Sequence, residues 1–469
     1  MNTSSSVQQA VAEVSARLDR IPSFPRQMKF SVAVLGGLFA FDLIDLQTFS
    51  LVAPAVQRTW GLSPEQLGVL TSMVFVGGLV GAFLGGQLMD RIGRRPVILA
   101  SVAIFSLASL GSAFAPSPEV LGALRFVTGL GISAASAAIL VIVAESFPKS
   151  LRGRAMSVLV FASVIGLPLL TVVASLVVPS GNWHYVFLFA SLGLFVVIPA
   201  LWLLPESPRW LASRGRVDEA RAWLMRLEDD YHRTHVTRLP APEIVLEAPA
   251  PERRSFLEIF RSGFLKSTLL ASVLWGALVV LNTGLNNWFP VIMDMRGYPL
   301  DQAYTIFVFV SLGAIIGPFL AAAFVDRIER KWLVVGSAAL LIVSYLFVGF
   351  LDAVPVIVVG GLVATVFGTV LSTVLFTYIP EIFALEIRGA GVGFAQGFSR
   401  VSSVLSAIFI GFLLAQWTPE FVFIYLVIVA ALVLVLALFG PTIGIREAHR
   451  ARVAAKAESK SSRLTSQTT

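Results

Sequence analysis

The sequence predicts an all-α integral membrane protein of twelve spanning helices, arranged as two six-helix pseudo-repeat halves. Three observations lead there. Of the 469 residues, 56% are hydrophobic and only 13% charged. The apolar residues fall into blocks of about twenty, parted by short polar breaks, which is the length a helix needs to cross the hydrocarbon of a bilayer. Landmarks also recur along the chain at one fixed interval. A β-barrel would instead alternate over segments of about ten residues, and no such alternation occurs.

The elements follow in order. Residues 1–29 form an N-terminal segment without the apolar core and small-residue cleavage site of a secretory leader, so the first span is expected to start the inserted protein. The first half, 30–204, holds spans at 30–56, 65–89, 97–115, 119–146, 154–178 and 183–204. Residues 205–265 are hydrophilic, with an amphipathic helix in GRVDEARAWLMRLEDDY and then a Pro/Glu-rich stretch, and read as a cytoplasmic linker with short helices. The second half, 266–440, holds spans at 266–291, 302–324, 332–351, 354–383, 389–415 and 419–440. A tail, 441–469, carries lysines and arginines from Arg446 to Arg463 and reads as a solvated or lipid-touching end.

The net charge of +7 is informative by location. Loops on one side hold Arg91, Arg94, Arg95, Lys149, Arg152, Arg154, Arg327, Arg330, Lys331 and Arg388, whereas the opposite short loops hold Arg58 and Arg296. The basic side is expected in the cytoplasm, with both termini. The balance therefore reads as topology and not as nucleic-acid binding. The chain has no cysteine and four scattered histidines, a set that offers no metal constellation.

The repeat interval is 236 residues. DRIGRR from Asp90 returns as DRIERK from Asp326, and ESFPKSLRG from Glu145 returns as EIFALEIRG from Glu381. Pro54 maps onto Pro290 and Pro205 onto Pro441 by the same shift. One offset across four separated landmarks means two parallel copies joined by the linker.

These residues carry a family resemblance over nearly the whole chain. GGQLMDRIGRR resembles the loop motif between the second and third helices of the major facilitator superfamily. RFVTGLG from Arg125 resembles its fourth-helix motif, and PESPRWL, at Pro205 to Leu211, resembles the mark that closes the first half of its sugar-porter-like members. The resemblance implies a mid-membrane cavity between the halves that opens alternately to either side. Physical roles follow for the motif residues. Gly86 is expected to let two helices approach closely, and Asp90 with Arg91, Arg94 and Arg95 to latch helix ends in one conformation. Asp326 with Arg327 would repeat that latch. Glu145 with Arg152, and Glu381 with Arg388, are expected as further latches.

The stretch FDLIDLQTF, Phe41 to Phe49, places Asp42 and Asp45 three residues apart near mid-membrane, where an ionised carboxylate costs about 2.5–3.5 kcal/mol on insertion scales. Their repeat counterparts are Leu278 and Leu281, so packing does not require acids here. Burial and a neighbouring carboxyl both favour the neutral form, which suits a group that takes up a proton on one side and releases it on the other. Asp42, Asp45 and, by resemblance, Arg125 are therefore the candidate coupling residues. The alternative is that one acid pairs with an arginine and orients the bundle. Sodium is a second candidate ion, with oxygens of Gln47 or Thr48 as further ligands.

Arg400 lies about 18 Å into the eleventh span and either anchors an anionic substrate or neutralises one of the aspartates. Asn282, Asn286 and Asn287 in the seventh span, with Gln47, Tyr378 and Gln396, are the remaining candidate substrate contacts. The FDxxD arrangement and the eleventh-helix arginine are most similar to proton symporters of aromatic acids and niacin, although those carry a DG-type pair where this chain reads DLID, and Ala384 stands where the second-half motif has proline. The expected function is proton-coupled uptake of a small organic anion, an aromatic or heteroaromatic carboxylate, by a monomer in the bacterial inner membrane. A sugar or polyol symporter, supported by PESPRWL, and a sensor that keeps the carrier fold without transport are the alternatives. Motifs leave the direction of transport open. No phosphate-binding glycine loop or nucleophile constellation points to an enzyme, and no cofactor is expected beyond the coupling ion.

Overall fold

A computed structural model describes residues 3–234, 239–244, 256–261, 263–325, 327–383 and 387–441. Among these residues every regular element is a helix. In chain order they are α1 (Thr3–Asp19), α2 (Arg26–Trp60), α3 (Pro64–Ile92), α4 (Arg94–Ser112), α5 (Pro118–Ser146), α6 (Lys149–Val177), α7 (His184–Ser191), α8 (Gly193–Leu203), α9 (Pro208–Ser213) and α10 (Val217–Thr234). After a short 3-10 turn at Phe256–Phe260 come α11 (Leu265–Met295), α12 (Leu300–Ser311), α13 (Gly313–Phe324), α14 (Arg330–Phe350), α15 (Val354–Ile382), α16 (Arg388–Gln416) and α17 (Glu420–Phe439). Among the described residues twelve spans are long and apolar enough to cross a membrane, with α7–α8 and α12–α13 each serving as one broken span.

The spans fall where hydropathy places them, and their ends follow capping chemistry. The first runs from Arg26 to Trp60, beyond 30–56 at both ends, and the third occupies Arg94–Ser112 in place of 97–115. Hydropathy marks the part of a helix in hydrocarbon, whereas the helix itself stops where its terminal N–H and C=O groups find partners. Ser63 and Gln66 form a reciprocal capping box on α3. Three spans lack a local side-chain cap and take one from a distant acid, α6 among them, whose Lys149 N–H donates to Asp19 at 2.8 Å. Asp230 of α10 accepts from the Gln27 N–H at the start of α2, 3.1 Å. Glu206 accepts from the N–H groups of Arg94 and Arg95 at the start of α4.

One compact unit comprises Met1–Glu252, Asn286–Ser311 and Ser403–Pro419. Within it α5 packs on α3 and α4, and α2 packs on α6. Backbones of α3 and α5 nearly touch along a glycine row. A methyl added to Gly77 or Gly81 would collide with the Phe126 or Leu130 carbonyl, and one on Gly85 would lie 2.7 Å from Ala134 Cβ. The expectation for Gly86 is thereby corrected, because its added methyl would meet nothing within 4 Å. A one-residue shift turns a helix by about 100°, so Gly86 falls off the contacting face.

A helix the sequence analysis did not assign, α1, completes this unit. Its buried Val14 and Leu18 join a cluster with Trp223, Leu224 and Leu227 of α10. Arg17 and Arg20 both pair with Glu228 at 2.8 Å, and Arg221 pairs with Glu13 at 2.6 Å. The other unit comprises Arg253–Leu285, Leu312–Ser402 and Glu420–Thr469, in which α14 packs on α15 and α17, and α13 on α15.

Candidate functional site

Asp42 and Asp45 sit one turn apart on α2 and are 1% and 0% exposed. The helix rise carries them to mid-membrane depth, and α5 brings their partners. The Ser136 hydroxyl donates to Asp42 Oδ2. Arg125 Nη1 donates to Asp45 Oδ1 at 2.9 Å, and its Nη2 donates to the Asp45 carbonyl at 3.1 Å. Ser109 of α4 faces the same carboxylate. Arg125 is itself fully buried, so the pair stands with its charges compensated on the spot rather than by water. The two acids thus differ in partner: Asp45 pairs with Arg125, and Asp42 accepts from the Ser136 hydroxyl. Thr48 Oγ1 donates to the Ile44 carbonyl and Gln47 is half-buried.

In the other unit, Arg400 is half-buried on α16 and Gln396 is exposed one turn before it. Asn282 donates to the Leu278 carbonyl and to Ser372 Oγ, both at 3.1 Å. Asn286 is half-buried and Asn287 is 5% exposed, and both fall in the first unit. Tyr378 departs from the expectation of a substrate contact. It is 1% exposed and its hydroxyl donates to the Pro441 carbonyl at 2.8 Å, tying down the chain that leaves α17.

The acids expected to latch helix ends form ion pairs: Asp90 with Arg94, one of its expected partners, but Glu145 and Glu381 with others. Glu145 Oε1 accepts from Arg94 Nη2 at 3.0 Å, while Arg152 donates to the Phe147 carbonyl. Glu381 pairs with Arg330, and Arg388 is half-buried beside it in sequence. The reason is helix packing. Arg94 opens α4 and Glu145 closes the antiparallel α5 packed on it, so the two ends meet, whereas Arg152 already lies one turn into α6. The second half repeats the arrangement between α14 and α15. Asp90 is exposed and lies 3.3 Å from Arg94, and its carbonyl accepts from Trp210 Nε1. Arg91 and Arg327 are exposed, and Asp326 lies outside the described residues.

At the other end of the membrane Arg58 pairs with Asp294, and the Tyr304 hydroxyl donates to the Leu51 carbonyl. Sequence reasoning passed over Ser136, Glu206 and Asp294. A signal for the first existed, because Ser136 has Ser372 as its counterpart 236 residues on. An acid inside PESPRWL near an arginine-rich loop could have flagged Glu206.

Comparison with known proteins places this geometry. The family described as "Sugar (and other) transporter" matches residues 28–448. A putative metabolite transport protein, YyaJ of Bacillus subtilis, is 32% identical over 87% of this chain and 91% of its own length. The niacin transporter NiaP of Acinetobacter baylyi is 29% identical over 80% of this chain and 84% of its own. Among solved structures, a D-xylose-proton symporter shares the fold with a TM-score of 0.67 at 20% identity, covering 88% of this chain and 96% of that one.

Proposed function

Starting from a chain that belongs to the sugar (and other) transporter family, a multi-pass membrane transporter of the major facilitator type, we propose proton-coupled uptake of a small aromatic or heteroaromatic carboxylate. The observation that carries the reading is the buried pair of acids on the first span, where the matching positions of the second half are leucines. The Ser136 hydroxyl can hydrogen-bond the carboxyl in its protonated or its charged form, so Asp42 is the group assigned to load and release the proton. Asp45 and Arg125 change their mutual pairing in response, which links protonation to helix position.

Arg400 supplies the carboxylate anchor. Its planar fork matches a carboxylate with two parallel hydrogen bonds, and an intramembrane arginine is a functional-site candidate by default. Asn282 and Asn286 supply amide contacts. The name of the niacin transporter supports a heteroaromatic acid as substrate class. A proton entering down the membrane potential releases about 2.3 kcal/mol per 100 mV, enough to concentrate a solute many-fold. The arginine-rich loops support an orientation with both termini on the cytoplasmic side of the bacterial inner membrane, and the proposal takes the protein as a monomer.

The test is purified protein in proteoliposomes with an imposed pH gradient and labelled benzoate, nicotinate, glucose or a dicarboxylate. Expected is accumulation of an aromatic acid that Asp42→Asn and Arg400→Ala abolish. Accumulation of glucose alone would establish the sugar reading, and binding without flux the sensor. Accumulation driven by a sodium gradient in place of the pH gradient would overturn the proton assignment.

A further inference from the structure

Where the first and sixth spans end on the side of the arginine-rich loops, a cavity of about 350 Å³ opens between them and α10. Its walls hold Arg26 from the start of α2 and Arg226 and Arg233 from α10, against Asp229 and Asp230. The ion pairs of this region use other arginines, namely Arg17, Arg20 and Arg221. Among the described residues Arg26, Arg226 and Arg233 form none. Arg26 instead rests over the Phe30 ring at 5.5 Å, and Arg226 Nε reaches back to the Ala222 carbonyl of its own helix. Asp230 is committed to the Gln27 N–H.

The cavity is amphipathic. Trp202 and Phe30 line it as well and are 77% and 44% exposed on the last turn of α8 and the first turns of α2, where spans pass from hydrocarbon to headgroups. Aromatic rings at that depth suit the ester and upper acyl region of a lipid, and arginines just beyond them suit its phosphate. We infer that this cavity is a binding site for the phosphodiester headgroup of an anionic glycerophospholipid, with Arg26, Arg226 and Arg233 around the phosphate and Trp202 and Phe30 along the proximal chains. A lipid held there bridges the first span, the sixth span and α10.

The test uses the full chain, purified and stripped of lipid in detergent, with dioleoylphosphatidylglycerol as the probe. Native mass spectrometry should show one tightly retained lipid, and thermal melting should rise saturably as it is added. Binding should weaken about fivefold for each arginine removed in Arg26→Gln, Arg226→Gln and Arg233→Gln. Trp202→Ala, an exposed change that leaves every ion pair intact, should also weaken it. Arg154→Gln, at an exposed arginine outside the cavity, should not. Dioleoylphosphatidylcholine, whose phosphate is neutralised by its own choline, should bind more weakly, and millimolar inorganic phosphate should fail to displace the lipid. The proposal is overturned if the cavity variants retain wild-type affinity, if Arg154→Gln weakens binding equally, or if inorganic phosphate competes, which would make this a site for soluble anions.

Discussion

The two halves answer the same structural demand with different chemistry. In the first half the carbonyl of residue 45 accepts from Arg125, whose other nitrogen holds the Asp45 carboxylate. In the second half the matching carbonyl, that of Leu281, accepts at 3.1 Å from Tyr345, the counterpart of Ser109. Arg125 and Tyr345 are both buried, and the counterpart of Arg125 is Gly361. A large donor at this place is therefore what the fold needs, and a neutral tyrosine meets that need. The ion pair of the first half exceeds it. The latches show the opposite pattern, since Arg94–Glu145 returns as Arg330–Glu381. What both copies keep fits the common architecture, and what one copy alone carries is where the proposed function puts the transported ion and solute.

The sharpest way to break this comparison is to remove one side of the unshared pair. Arg125→Leu leaves the Asp45 carboxylate buried without its partner and should lower stability by about 3–5 kcal/mol in denaturant unfolding. The triple change Asp45→Leu, Ser109→Tyr and Arg125→Gly copies the second half. It should regain most of that loss while abolishing gradient-driven accumulation. Recovery of both would show that the charges serve packing alone.

Next in size is the glycine row. Gly81→Ala should cost about 1–3 kcal/mol by forcing α3 from α5, whereas Gly86→Ala should stay within about 0.5 kcal/mol. Thermal melting of the two variants side by side checks this. The duplicated latches come third. Glu145→Gln and Glu381→Gln should have similar effects of about 1 kcal/mol or less, given their partial exposure, and should add in the double variant. Because the chain has no cysteine, single introduced thiols report the accessibility of either helix end directly. Unequal effects would break the equivalence of the two copies.

The smallest effect is expected where α1 meets α10. Burial raises the Glu228 pKa, but hydrogen bonds and charge from Arg17 and Arg20 outweigh it and leave the carboxyl below the usual glutamate range. A depressed pKa contributes stability that is complete above the unfolded value of about 4.3 and is lost as pH falls through the folded one. Glu228 is 9% exposed and its arginine partners are more open to solvent, so the contribution is about 1 kcal/mol or less. Hydrogen exchange of α1 amides should be flat from neutral pH down to that value and accelerate below it, after correction for intrinsic rates.

Much of this was legible in the sequence because a bilayer constrains it so strongly. Twenty-residue apolar blocks have few readings, and a 236-residue offset needs no coordinates. The buried acids stood out for the same reason, since Asp42 and Asp45 contradict their surroundings. Pairings were harder. Glu145 has Arg152 near it in sequence but meets Arg94 through helix packing, and Gly86 and Gly85 differ by a rotation that only the contacting face resolves. Tyr378 looked like a cavity residue because a polar group in an apolar span has two uses, and the chain after α17 claims it. The helix α1 was hidden because its apolar residues are too few for a span and make sense only against α9 and α10.

The Arg58–Asp294 bond joins a residue to its own duplicate, since 294 exceeds 58 by the repeat interval. Two identical copies would carry the same amino acid there, and two arginines or two aspartates face to face would repel. Opposite charges at that point require copies that differ in sequence. The bond is thus a mark of ancestry as well as a contact, an attraction that no symmetric pair of identical subunits could have had.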